Sequence, residues 1–218
     1  MPRAGLLFIV SAPSGAGKTS LCKEVLARIN QKAKRPLKWS CSYTTRPPRE
    51  GERHGVDYFF VSDEEFEEMV KKGEFAEWAW VHGHRYGTSI KYLKQAEEQG
   101  IDLLLEIDCQ GARQLREKYK KGCYIFILPP SLKELRRRLK GRGTEPQEVI
   151  EKRIQRAKQE VEEYELYDYI IINDDFKQAS DQLEAVIEAE RVKKNNQLED
   201  IKPILEQFKG EEDGSDNC

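Results

Sequence analysis

The chain has 218 residues, 35% charged and 38% hydrophobic, with 37 Lys and Arg against 39 Asp and Glu for a net charge of −2. A near-zero net charge argues against a nucleic-acid-binding surface, and 3 Trp, 9 Tyr and 8 Phe argue against wholesale disorder. The longest apolar run near the N-terminus, Leu6–Val10, is far short of the ~18 residues a membrane span needs and too short for a secretory leader. The cysteines Cys22, Cys41, Cys109, Cys123 and Cys218 are odd in number and show no CxxC spacing. Reduced thiols in a cytoplasmic protein are therefore expected, without a zinc site or disulfide framework.

In chain order, the first predicted element is a buried strand, Leu6–Ser11. Directly after it comes Ala12–Thr19, read Ala-Pro-Ser-Gly-Ala-Gly-Lys-Thr, and then a helix over Thr19–Asn30 with the apolar stripe Leu21, Val25, Leu26 and Ile29. A glycine-rich turn between strand and helix is the setting of a phosphate-binding P-loop. Gly15 and Gly17 let the backbone turn its N–H groups toward phosphate oxygens, and the helix start adds partial positive charge. Lys18 supplies a point charge for the β- and γ-phosphates, and the Thr19 hydroxyl is a ligand for Mg²⁺. The motif usually opens on Gly; Ala12 is still small enough for the turn. ATP-binding is thus expected of Ala12, Pro13, Ser14, Gly15, Ala16, Gly17, Lys18, Thr19 and Ser20.

Pro36–Ile90 breaks the strand–helix rhythm and reads as short strands around one helix, Asp63–Lys72. Within it, Arg46 and Arg49 flank two prolines, so two guanidinium forks are held at fixed spacing. That suits a dianionic phosphate, though a solvated basic turn has the same pattern. A helix over Ser89–Gln99 leads to a second apolar strand, Asp102–Asp108, whose alternation puts Glu106 and Asp108 on one sheet face at the strand end. There ligands bind in doubly wound sheets. Asp108-Cys-Gln-Gly111 also matches a loose DxxG, but no Asn-Lys-x-Asp follows, so it is read as coincidence.

A third strand, Cys123–Leu128, precedes the charge-dense Ser131–Tyr167, in which Ser131–Lys158 carries ten basic and four acidic residues. Helices are predicted there over Ser131–Lys140 and Glu148–Glu165. The last strand is Tyr169–Asn173 and the last core helix Gln178–Lys193. Leu198, Ile201, Ile204, Leu205 and Phe208 suggest a short amphipathic helix broken near Pro203, and Glu211–Asn217 is expected to be disordered. Strands alternating with helices predict an α/β doubly wound parallel sheet. His82 and His84 read as loop histidines, and Trp78 and Trp80 as the core of the first insertion.

Seven segments together are similar to the guanylate kinase family: Ser11–Thr19, Ser42–Glu52, Gly55–Phe59, Glu74–Trp78, Tyr86–Thr88, Leu105–Gly111 and Arg138–Thr144. The resemblance runs from about Gly5 to Val192. It implies a P-loop kinase core (4–35, 91–130 and 168–192), a GMP-binding insertion (36–90), a basic helical lid (131–167) and a tail (193–218). The implied reaction is ATP-dependent phosphorylation of GMP and dGMP with Mg²⁺, in purine metabolism. Ser42, Glu77 and Thr88 would surround the guanine, whose N1–H and amine suit a carboxylate acceptor where adenine's N1 lone pair would be repelled. Arg46, Arg49, Tyr58 and Tyr86 would hold the GMP phosphate, with Glu106 and Asp108 beside GMP and the Mg²⁺ shell. Thr19 would meet the metal, with Asp108 acting through water. Lys18, Arg46, Arg138, Arg142 and Arg153 would stabilise the transferring group, and Asn173 would lie near the adenine. Arg136, Arg137 and Arg156 are expected to be solvated neighbours. The expected partners are small nucleotides, with neither nucleic acid nor membrane, in a monomer or homodimer. Two alternatives share the pattern: an inactive guanylate-kinase-like protein-binding module and a kinase of another nucleoside monophosphate.

Overall fold

A computed structural model of the chain describes residues 3–32, 35–81, 83–119, 121–141 and 146–210. Strand β1 (Leu7–Ser11) is buried at every position, and the P-loop turns it into α1 (Lys18–Lys32). After β2 (Leu37–Trp39) comes a small unit of β3 (Ser42–Thr44), β4 (Tyr58–Phe60), α2 (Asp63–Lys71), β5 (Phe75–Val81) and β6 (His84–Ser89). The chain then runs through α3 (Ile90–Glu98), β7 (Asp102–Glu106), α4 (Cys109–Lys118) and β8 (Cys123–Leu128). Two helices follow, α5 (Leu132–Lys140) and α6 (Gln147–Val161), the second ending in a 3₁₀ turn over Glu162–Leu166. β9 (Tyr169–Ile172), α7 (Phe176–Val192) and α8 (Lys194–Gly210) complete the described chain.

The core is a five-stranded, all-parallel sheet in the order β2-β7-β1-β8-β9, the doubly wound α/β arrangement expected from the apolar runs. Alternate residues serve the two faces. Phe8, Val10, Leu104, Ile125 and Ile127 pack with Leu21, Val25 and Ile29 of α1 and Leu183 and Ile187 of α7. On the other face, Leu7, Ile9, Leu103, Leu105 and Phe126 pack with Leu93 and Ala96 of α3 and Ala112 and Leu115 of α4. β1, β7 and β8 are covered on both faces and are near-continuous apolar runs, which makes them readable in the sequence.

The small unit carries its own sheet, β4-β3-β6-β5. Helix α2 is fixed at its start by a capping box between Ser62 and Glu65, and its Phe66 is fully buried. The lid has a separate core of Leu135, Leu139, Ile150, Ile154 and Ala157.

Several boundaries differ from the sequence-based expectation. β2, placed with the 36–90 insertion, joins the core sheet through parallel pairing of Leu37, Lys38 and Trp39 to β7; three residues with one buried are too short a pattern to read. The predicted helix Glu148–Glu165 tightens to 3₁₀ after Val161. Asp108 is not strand but the N-cap of α4, accepting the Gly111 N–H at 2.9 Å. α8 runs through Pro203 instead of breaking there, leaving the Glu199 carbonyl without its helical donor. Trp78 packs edge-on against Phe66, whereas Trp80 is 49% exposed beneath the Arg85 guanidinium. The expected disorder of Glu211–Asn217, and His82, lie outside the described residues. Cys22, Cys41, Cys109 and Cys123 are free and buried, and burial raises the pKa of each.

Candidate active site

One cleft at the C-terminal ends of β1 and β7 is lined by the P-loop, by Ser42, Tyr58, Glu77 and Tyr86 of the small unit, by Glu106 and Asp108, and by Arg156 and Glu160 of α6. Gly15 and Gly17 have φ of 94° and 91°, backbone that glycine adopts without strain. Lys18 and Thr19 open α1. The Lys18 ammonium donates to the Ile107 carbonyl at 2.8 Å and lies 3.9 Å from Glu106 Oε1. The Thr19 hydroxyl donates to the same carboxylate oxygen at 2.5 Å.

The loop is braced from behind. Asn173 is buried and donates to the Ala16 carbonyl at 2.7 Å. Its own carbonyl accepts from Arg138 at 2.8 Å, and Arg138 is also held by Glu134 at 2.7 Å. Asn173, expected near the adenine, therefore pins the P-loop backbone. A Cβ at Gly15 would meet Leu139 at 2.8 Å, so α5 lies directly on the loop. Arg153 is half-buried on α6, and Arg142 lies outside the described residues.

Opposite the P-loop, Glu77 is 3% exposed and accepts the Thr88 hydroxyl at 2.5 Å. The pair sits directly across the β5–β6 ladder, just after a register shift between Phe75 and Glu77. That bulge lets Phe75 stack on Phe66 at 4.5 Å while Glu77 turns into the cleft. Burial pushes the Glu77 carboxyl up to about 7, opposed by the Thr88 hydrogen bond. Tyr58, also raised by burial, to about 12, stays a protonated donor.

Arg46 is buried and clamped. One of its nitrogens donates to both Glu52 oxygens at 2.9 Å, another to Pro47 O at 2.8 Å, and Nε to the Tyr86 hydroxyl at 3.2 Å. Tyr58 and Phe60 rings lie 5.5 and 5.9 Å from its guanidinium carbon. Arg49 is exposed and outside the cleft lining; its backbone N–H donates to Glu52 at 2.8 Å. Burial works against the Glu52 charge, yet the Arg49 N–H and Arg46 hold its carboxyl below the usual range.

Two cleft residues went unread in the sequence. Arg156, expected to be solvated, donates to Asp108 at 3.1 Å and to Glu160 at 2.8 Å. Glu160 in turn accepts the Ser14 N–H at 3.3 Å, and burial raises its pKa. Their only sequence signal was i,i+4 spacing of opposite charges, common to solvated helices. Arg136 and Arg137 are lid-surface pairs with Glu151 and Glu134.

The family model for guanylate kinase matches residues 5–190. The guanylate kinase of Geobacter metallireducens is 55% identical over 201 residues, spanning 92% of this chain and 97% of its own length. That of Geobacter sulfurreducens is 53% identical over 205 residues, spanning 94% and 98%. A crystal structure of guanylate kinase from Anaplasma phagocytophilum superposes with a TM-score of 0.71 at 34% identity, covering 88% of this chain and 89% of that one.

Proposed function

Because the chain belongs to the guanylate kinase family and is an ATP:GMP phosphotransferase, we propose that this cleft carries direct in-line transfer between ATP on the P-loop and GMP on the small unit. The observation that carries the assignment is the meeting in one cleft of Lys18 and Thr19 with a buried Glu77–Thr88 pair. Glu77, ionised, accepts from guanine N1–H and the exocyclic amine, and Ser42 and Thr88 complete the base pocket. Arg46, Tyr58 and Tyr86 receive the GMP phosphate; Arg46 exchanges its Glu52 partner for it, and Arg49 swings in from solvent. GMP phosphate is already ionised at neutral pH, so no strong base is needed. Phosphoryl transfer then depends on positioning and on cations that follow the migrating charge. Lys18 supplies one, and Arg138, Arg142 and Arg153 supply the rest from the lid.

Mg²⁺ fits this site by the chemistry of its donors: the Thr19 hydroxyl and the Glu106 carboxylate are hard oxygens 2.5 Å apart. Among the described residues no group of three or more His, Cys, Asp or Glu forms a cage, in keeping with an ion that relies on waters and substrate phosphates. Thr19 and Glu106 would hold it, and Asp108, engaged with Gly111 and Arg156, would act through water. When bound, the ion neutralises phosphate charge. The acceptor range extends to dGMP, which presents the same guanine edge to Glu77 and the same phosphate to Arg46. Among the described residues no helix is long and apolar enough to cross a membrane.

ADP release measured with GMP, dGMP, AMP, UMP and dTMP tests the assignment. Turnover is expected with GMP and dGMP only. Lys18→Ala should lower kcat by about 10²–10³-fold in a folded protein. A near-normal kcat would remove Lys18 from the chemistry, and no ADP release with any acceptor would favour a binding module.

A further inference from the structure

We propose that Gly111 and Gln114, on one face of α4, position Glu77 and so set the guanine selectivity of the enzyme. The inference rests on the assignment of Glu77 to base recognition. Neither residue lines the cleft. A Cβ built on Gly111 would stand 2.4 Å from Glu77 Oε2 and 3.1 Å from its Cδ. One carboxylate oxygen is therefore fixed by the Thr88 hydroxyl, and the other lies where any side chain at position 111 would be. Gly111 does not have positive φ, and alanine is the better helix former by about 1 kcal/mol. The backbone does not need glycine; the Glu77 carboxylate does.

Gln114 is one turn further along the same helix face. Its Nε2 donates to the Trp78 carbonyl at 2.7 Å, and its Oε1 accepts the Trp78 N–H at 3.2 Å. Trp78 follows Glu77 on β5, the edge strand of the small sheet, so an outward backbone pair that an edge would leave open is taken by a core helix. α4 thus holds the strand by its backbone at residue 78 and leaves space for the carboxylate at residue 77.

The test is kcat/KM for GMP, IMP and AMP in wild type, Gly111→Ala, Gln114→Ala, Glu77→Ala and Glu77→Ala/Gly111→Ala, with KM for ATP and thermal melting in parallel. IMP lacks the exocyclic amine, so the GMP:IMP ratio reads the carboxylate's placement. Gly111→Ala should lower kcat/KM for GMP about 10²-fold, mainly through KM, and compress both ratios, with the ATP KM within about twofold of wild type. Gln114→Ala should act in the same direction. In the Glu77→Ala background, Gly111→Ala should add less than about twofold, because its target is gone. If Glu77→Ala alters the ratios while Gly111→Ala and Gln114→Ala leave them unchanged, the positioning role is refuted and base recognition by Glu77 stands. If Glu77→Ala leaves the GMP:IMP ratio unchanged, base recognition by Glu77 fails, and the positioning role with it. Should Gly111→Ala not fold, Gln114→Ala decides alone.

Discussion

Glu77 is asked to be buried and charged at once. Desolvation raises its pKa to about 7; the Thr88 hydrogen bond and the more distant Lys118 pull the other way, while Asp108 adds to the rise. Guanine recognition needs the ionised form, which accepts two hydrogen bonds. The GMP KM of the wild type should therefore rise as pH falls below about 7, while a Glu77→Gln variant, with a weaker GMP preference, keeps only the rise below about pH 6 that protonation of the GMP phosphate imposes; KM profiles from pH 5.5 to 8.5 at saturating ATP check this. The same shift has a stability consequence. A carboxyl whose folded pKa is raised favours the fold below its unfolded pKa of 4.5, and that contribution is lost as pH rises through 7. Glu77→Gln should thus gain stability relative to wild type by up to about 3 kcal/mol at pH 8, with the gain vanishing toward pH 4.5. A gap that widens on acidification would contradict a raised pKa. Binding selectivity is here obtained at a cost in stability.

At the level of elements, the lid makes two kinds of contact with the P-loop. Leu139 of α5 packs on Gly15, and Glu160 of α6 accepts the Ser14 N–H, placing a carboxylate on a backbone group that the P-loop offers to phosphate. Glu160→Gln should lower the ATP KM about threefold to tenfold, roughly 1 kcal/mol, without changing the GMP KM; an unchanged or higher ATP KM would mean that the carboxylate shapes the loop rather than competing with the nucleotide. These contacts also show where sequence reading stops. β1, β7 and β8 were legible because strands covered on both faces are near-continuous apolar runs, β9 because its run of Tyr and Ile is apolar even though Ile170 and Ile172 are exposed, and the P-loop because its glycines and lysine are local. β2 was illegible with one buried residue in three. Glu160 and Ser14 are 146 positions apart, and Arg156 and Asp108 are 48 apart. Nothing local distinguishes such residues from a solvated helix face. The bulge that aims Glu77 likewise depends on its pairing with β6.

Across the whole molecule, β7 connects two regions of opposite character. Its C-terminal residue, Glu106, faces the P-loop. Its N-terminal residue, Asp102, is fully buried and closes a charged cluster. Asp102 accepts the Leu6 N–H at 2.9 Å and pairs with Arg35 at 2.6 Å and Arg191 at 3.0 Å; Arg191 also donates to the Arg35 carbonyl at 3.1 Å. One carboxylate thereby ties β1, the entry to β2 and helix α7 together at the end of the sheet away from the cleft, about 13 Å from Glu106 at strand rise. Removing its charge leaves the buried Arg191 and the partly exposed Arg35 without their shared counter-charge, and breaking a buried pair costs about 3–5 kcal/mol. Asp102→Asn should therefore lower the melting temperature by about 10 °C, while kcat and both nucleotide KM values at 25 °C stay within about twofold of wild type. Melting curves and steady-state kinetics on the same preparation separate the two effects. A variant that keeps its melting temperature but loses turnover would show that the far end of β7 acts on the chemistry, and not only on the stability of the sheet that carries it.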